Sequence, residues 1–302
     1  MLEEINLEKL LLGVDFSNLI TGSFFTTDLI NTRSINVNAV RGFFLRLKKL
    51  KDFLRPDYIV IATDVSRNHT FRRKLYSEYK ANRGMAPDGL PEQIEYGLSL
   101  LQHMGYPIIN DPLYEADDIL GMVSRLAEDN GISTIIASSD RDFYQLVTNR
   151  ITVFNTRKNN IIDANFIQKE YGLLPLQLID VKALAGDKTD NIPGAFGIGD
   201  KTALSLLQKY NSLEEIYKNK ALLPHRIQTS LENSRDLVML SKVLATIVTD
   251  YSLLNLNLAM LEIQPTLNPP EVFSLLKYLE LPSLNEVMIY SLLPGKIREP
   301  QV

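Results

Sequence analysis

Nine acids sit at the expected ends of strands and starts of helices: Asp15, Asp64, Glu115, Asp117, Asp118, Asp140, Asp142, Asp187 and Asp190. A general acid–base pair needs only two. Any one of them could be an N-cap or a solvated loop residue, which is the ordinary role of an aspartate in such places. Gathered into one volume, they would raise each other's pKa and oppose folding unless a cation neutralised them. The donor set is oxygen alone, because the chain has no cysteine and none of its three histidines lies near these acids. That favours a hard ion, Mg²⁺ with Mn²⁺ able to substitute, over zinc. Two such ions roughly 3.5–4 Å apart orient a water and stabilise charge on a phosphate and its leaving oxygen. The chemistry expected is therefore phosphodiester hydrolysis without a covalent intermediate. Glu115 and Asp118, three residues apart, share a face of the helix they open, and Asp117 reaches in from the same turn.

The elements that must position these acids are legible as pattern. Three apolar, β-rich runs each end near an aspartate: Leu10 to Val14 before Asp15, Tyr58 to Ala62 before Asp64, and Thr134 to Ala137 before Asp140. Ile151 to Asn155 reads as a further strand. Helical patterns lie between them, with Phe43, Leu47, Leu50 and Leu54 on one face of Val40 to Leu54, and Asp118 to Glu128 ending at Asn130-Gly131. Alternating strands and helices predict a mainly parallel sheet covered on both faces, with ligands bound past the carboxyl ends of its strands. From Asp163 the chain turns to short helical segments, so a boundary is expected near Tyr171 to Pro175. The residues after Leu293, with Pro294, Gly295 and Pro300, are expected to fray.

The chain of 302 residues has a net charge of −4 and a pI near 5.5, which by itself argues against a nucleic-acid partner. Its distribution argues the other way. Arg67, Arg72, Arg73, Lys74, Lys80 and Arg83 are opposed by Glu78 alone. Arg72, Tyr76, Tyr79, Lys80 and Arg83 would share one stripe of a helix, where tyrosine can stack on an unpaired base while the cations neutralise phosphates. Gly84 to Pro91, rich in glycine and proline, then reads as a mobile connection. A solvated amphipathic helix is the plain alternative. A second basic stretch, Arg41, Arg46, Lys48, Lys49, Lys51 and Arg55, reads as an ordinary exposed helix face. Gly197 and Gly199 lie in a turn between a helix over Leu176 to Ala185 and one running on to Lys209, and they permit close approach to a phosphate. With Lys201 and Thr202, this arrangement looks like a helix-hairpin-helix that grips duplex DNA without reading sequence; a simple tight turn is the alternative.

These residues are similar to the 5′ nuclease family, which includes the N-terminal domain of bacterial DNA polymerase I, phage 5′ exonucleases and eukaryotic flap endonucleases. The resemblance runs from about Leu11 to Thr249. It rests on Tyr114-Glu115-Ala116-Asp117-Asp118, Ser139-Asp140-Arg141-Asp142 and Gly186-Asp187-Lys188-Thr189-Asp190-Asn191-Ile192-Pro193-Gly194. Thr70-Phe71-Arg72, Tyr79 to Arg83 and Gly197 to Ala203 support it.

The resemblance implies an α/β PIN-like catalytic domain over 1–174. Its central sheet would be mainly parallel, with helices on both faces and a helical arch at about 67–91. A smaller all-α, SAM-like domain over 175–302 would follow, with a helix-three-turn-helix at about 176–209. It implies that Asp15, Asp64, Glu115 and Asp117 hold one metal ion, and that Asp140, Asp142, Asp187 and Asp190 hold or support the second, with Asp118 acting through water. Arg72, Lys80, Arg83 and the aromatic Tyr79 resemble arch residues that steer the 5′ strand. Arg73 and Tyr76 belong to the same DNA-contacting segment, and carbonyls of the hairpin turn can hold K⁺ in relatives. The implied substrate is DNA with a 5′ end, flap, nick or gap, or an RNA–DNA hybrid, cut by a monomer. A cytoplasmic location is expected, with no membrane partner: the N-terminus lacks a basic leader region and no apolar run is long enough to span. Three positions depart from the family pattern. Phe16 stands where glycine follows the first aspartate, and Gly22 where an arginine is usual; Thr63 also replaces a common aromatic. The alternatives are a PIN-type ribonuclease and a non-catalytic binder of branched DNA.

Overall fold

The computed structural model describes residues 9–26, 30–65, 69–262, 268–281 and 284. Arg67, the N-terminal Met1 to Asn6 and the tail after Leu293 lie outside them. The expected strands form β1 (Leu10–Asp15), β2 (Tyr58–Ala62), β3 (Ile108–Ile109), β4 (Ser133–Ser138), β5 (Ile151–Asn155) and β6 (Asn160–Ile162). They make one sheet of order β3-β2-β1-β4-β5-β6, parallel except where β6 returns antiparallel to β5. Continuous apolar runs suit strands buried on both faces. Asp15 ends β1, Asp64 follows β2 by two residues and Asp140 follows β4 by two, so three carboxylates reach one edge.

Helices cover both sides. On one face lie α1 (Phe16–Phe24), α2 (Asn38–Leu54) and, beyond the short α3 (Phe71–Leu75), α4 (Leu90–His103). Phe16 fills this core, its ring edge-on to Phe43 at 4.9 Å. There is room because residue 97 is glycine; a Cβ there would meet Phe16 Cζ at 3.0 Å. The departure at Phe16 is thus a packing choice. The other face is covered by α5 (Ala116–Asp129), a 3₁₀ turn over Asp142–Leu146 and α6 (Ala164–Tyr171). A third core is built from α7 (Gln177–Ala185), α8 (Asp200–Tyr210), α9 (Leu213–Lys218), α10 (His225–Asn233) and α11 (Arg235–Ala245). Among the described residues no helix is long and apolar enough to cross a membrane.

One sequence expectation needs correction here, the single helix from Arg72 through Arg83. In the structure α3 ends at Leu75, Tyr76 is extended, and Lys80 is left-handed at φ 55°. The backbone is instead spent on tertiary bonds: Lys80 N–H donates to Asp190 O at 2.8 Å, Asn191 Nδ2 to Glu78 O at 2.7 Å and Asn82 Nδ2 to Lys188 O at 2.5 Å. The segment is laid over the loop that carries Asp187 and Asp190; it is not a continuous helical arch.

Of the helical unit expected over 175–302, the described residues form a core of their own as far as Val238, and Ile247, Leu256 and Leu261 join the core beneath α5. Farther on, α12 (Pro269–Leu279) packs Val272, Leu276 and Leu279 onto the α2 and α4 face. The helical unit is an excursion from which the chain returns.

Candidate active site

Asp15 serves the strand end and the helix start at once. Its Oδ1 accepts from Asn18 N–H at 3.0 Å, capping α1, and its Oδ2 accepts from Ser138 Oγ at 2.8 Å. Asp64 accepts from Ser17 Oγ at 3.0 Å and from Ala116 N–H at 2.9 Å, which ties β2 to the first turn of α5. Glu115 is the N-cap of α5 and closes a reciprocal capping box with Asp118. Each acid is therefore held by the element it terminates.

The second group comes from a loop of fixed shape. Gly186 and Gly194 both have positive φ, and a Cβ at Gly194 would lie 2.3 Å from Gly186 N, so only glycine lets the loop ends meet. A bridge between Asp187 and Ile192 closes it. Between those ends, Asp187 and Asp190 join Asp142, with one oxygen from each all within 4.8 Å of one another. Such an all-oxygen set suits a hard divalent cation.

Cations are threaded among these acids. Lys182 of α7 lies 2.5 Å from Asp142 Oδ2 and 2.7 Å from Asp187 Oδ2. Lys80 Nζ donates to Glu115 Oε1 at 2.7 Å and stands 4.0 Å from Asp190, and Arg83 pairs with Asp190. Lys182 went unnoticed in the sequence, although a lysine inside the apolar pattern of α7, five residues before Asp187, was a usable signal.

Five residues assigned from sequence make contacts inside the protein instead. Asp118 is fully buried and its oxygens accept from Arg72, from Glu115 N–H and from Val248 N–H, which leaves it no lone pair for a metal or a water-borne contact. Arg72, 3% exposed, spends all five donors inside the protein: on Asp118 twice, on Glu115, and on the Leu244 and Thr246 carbonyls. It is a structural clamp and does not face a strand. Tyr79 is turned inward with Ile192, Leu244 and Ala245, its hydroxyl donating to Glu115 at 2.9 Å, so it offers no stacking surface. Arg73 donates to the Tyr79 carbonyl at 2.6 Å, and Tyr76 is half-buried beside it. Lys80 and Arg83 remain directed at the carboxylates. Gly197, Gly199 and Lys201 are exposed at the hairpin tip and Thr202 is half-buried.

Residues 9–172 match the family described as 5′-3′ exonuclease, N-terminal resolvase-like domain, and residues 173–268 match its C-terminal SAM fold. The chain belongs to the 5′-3′ exonuclease family. It is 38% identical to a 5′-3′ exonuclease of Buchnera aphidicola over 78% of this chain and 86% of that protein. It is also 36% identical to the DNA polymerase I of Caldicellulosiruptor bescii over 89% of this chain, and spans 32% of that longer protein. In shape it is similar to T5 5′-exonuclease with bound zinc ions, with a TM-score of 0.65 and 19% identity over 90% of this chain and 98% of the other.

The family's acids carry a pH signature here. Burial pushes Asp15 up to about 7, with Asp64 and Asp140 adding repulsion. Burial likewise lifts Asp142 to about 6 against the pull of Lys182, and raises Asp117 well above the usual range, with Asp140 adding to it. A carboxyl raised on folding keeps its proton where the unfolded chain has lost it, so its stabilisation falls as pH rises from about 4 through about 7. Asp187 runs the other way: burial opposes the shift, but Lys182 holds it below the usual range, so its contribution is lost only in acid. Metal-free protein should therefore melt at a lower temperature at pH 8 than at pH 6, and Mg²⁺ should raise the melting temperature more at pH 8. Calorimetry in chelator and in Mg²⁺ at both pH values checks this; equal melting temperatures in chelator would contradict it.

Proposed function

We propose that this 5′-3′ exonuclease family member is a metal-dependent 5′ nuclease that hydrolyses DNA phosphodiester bonds at 5′ ends, flaps, nicks and gaps. The observation that carries the reading is the meeting of Asp142, Asp187 and Asp190 within 4.8 Å, beside the strand-end acids Asp15, Asp64 and Asp140 and the α5 acids Glu115 and Asp117, with Lys80 and Arg83 reaching into them. Relatives named 5′-3′ exonuclease support it.

Asp15, Asp64, Glu115 and Asp117 would hold one ion, and Asp140, Asp142, Asp187 and Asp190 a second; Mg²⁺ fits, with Mn²⁺ as substitute. Such ions supply Lewis-acid stabilisation of a phosphate and a more acidic water. The chain's own part is positional. Tyr79 and Arg72 hold the Glu115 carboxylate, so that Lys80 can exchange its partner for a scissile phosphate without leaving the site. Arg83 does the same from Asp190, and charge-assisted contacts of this kind help most where charge develops in the transition state. Potassium at the hairpin turn is a finer expectation: Arg226 donates to the Gly197 carbonyl at 3.0 Å, so an ion there would compete with a guanidinium.

The test is an end-labelled panel of flap, nicked, gapped, RNA and RNA–DNA substrates with and without Mg²⁺. Metal-dependent release of DNA products from the 5′ side is expected; cleavage of RNA alone would favour the ribonuclease reading, and binding without cleavage the non-catalytic one. The hairpin has its own test. Gly199 has ordinary backbone angles, φ −102° and ψ 178°, and a Cβ there meets nothing within 4 Å. Gly199→Val should therefore fold normally yet hold nicked duplex about tenfold more weakly, by standing between the turn and the phosphates. Equal affinity of variant and wild type would make this a simple turn.

A further inference from the structure

Packing sets one residue of the basic α2 face apart. Arg46 crosses to α1 at Gly22, its Nη2 3.5 Å from the Gly22 carbonyl, and a Cβ built at residue 22 would come within 3.2 Å of Nη1. Glycine leaves the lane through which the guanidinium passes. Burial makes the Arg46 guanidinium less basic, and the charge that adds to this is Arg157, another cation. Among the described residues no carboxylate pairs with Arg46, Lys49 or Arg157, whereas the neighbouring Lys48 is paired with Asp52. Arg46, Lys49, Phe53, Thr156 and Asn159 line one groove of about 310 Å³, with Phe53 74% exposed beside it.

The groove adjoins the carboxylate edge. Asn18, one helical turn before Gly22, accepts from both Ser139 N–H and Ser139 Oγ, next to Asp140. Thr156 N–H donates to the Ser138 carbonyl, so the β5–β6 turn lies beside the strand that delivers Asp140. The groove opens on the α2 face of the sheet and the helical unit joins on the α5 face through Tyr171 and Leu178, so the acids lie between the two.

We propose that this groove is a second nucleic-acid contact, in which Arg46 and Lys49, with Arg157 from the adjoining β5–β6 turn, hold a phosphate of a DNA strand crossing the carboxylate edge while Phe53 packs on the adjoining base. The inference rests on the nuclease reading for its substrate. Cations drawn together, here a half-buried Arg46 with the exposed Lys49 and Arg157, are stabilised by an anion, and cations interleaved with an exposed aromatic are the chemistry of strand binding. The phosphate is either an internal phosphodiester or a terminal one.

Binding in chelator, without cleavage, tests it on a nicked duplex carrying a 5′-phosphate or a 5′-hydroxyl. The double variant Arg46→Gln, Arg157→Ala should bind about tenfold more weakly, and the slope of log affinity against log salt should fall by about one for each phosphate that is no longer neutralised. Weaker binding to both duplexes assigns an internal phosphodiester, and weaker binding only with the 5′-phosphate assigns a terminal one. Arg157 is exposed, so Arg157→Ala alone keeps the test if Arg46→Gln fails to fold. A folded variant with wild-type affinity and salt slope overturns the proposal. Because the readout is binding, a wild type that binds through the groove but never cleaves would overturn the nuclease reading and leave this one standing.

Discussion

Asp15→Asn is expected to make the metal-free protein more stable at pH 8 and to abolish cleavage. Asp15 is 5% exposed, has no cation partner among the described residues, and is pushed up to about 7 by burial. Above that pH its buried charge costs up to about 4 kcal/mol. An asparagine keeps the bond from Asn18 N–H and can donate to Ser138 Oγ, so a gain on the order of 2 kcal/mol in chelator is expected. The same change removes a proposed metal ligand, and cleavage should fall about a thousandfold. The melting temperatures of variant and wild type, measured with and without Mg²⁺, should cross: variant higher in chelator, wild type gaining more from metal. A variant that is less stable in chelator, or that cleaves at the wild-type rate, would remove Asp15 from the metal site.

Arg72→Ala should be the most damaging single substitution. It leaves Asp118 buried and charged with no cation, and frees the carbonyls of Leu244 and Thr246. Breaking a buried ion pair from one side costs about 3–5 kcal/mol. Arg72→Lys should not rescue it, because an ammonium cannot reproduce the planar fork that meets both Asp118 oxygens. Converting both partners, Arg72→Met with Asp118→Leu, should recover part of the loss. The measurement is urea unfolding alongside affinity for a flap. Normal stability with weakened DNA binding would restore the strand-steering role that the sequence suggested.

Arg72 also marks the line between what was legible and what was not. Strands that end at or just before Asp15, Asp64 and Asp140 could be read because apolar runs and their stops are local. Gly186 and Gly194 were in view as part of a motif, but their contact was not, since it depends on where the loop closes. The spacing of Arg72, Tyr76, Tyr79, Lys80 and Arg83 fits a helix, yet tertiary bonds to Asp190 and Asn191 outweigh the pattern. The Arg72–Asp118 pair spans 46 residues, and nothing near either residue distinguishes a clamp from a surface cation. The return of α12 to α4 was hidden for the same reason: Val272, Leu276 and Leu279 announce an amphipathic helix without naming the surface it covers.

The chain enters the helical unit after Tyr171 and comes back at Ile247, where Arg72, Asp118 and Gln145 all grip residues 244–248. A body fastened at both ends behaves unlike one on a tether. A single protease cut in either connection would leave both fragments attached, and the nicked protein would migrate intact until it was denatured.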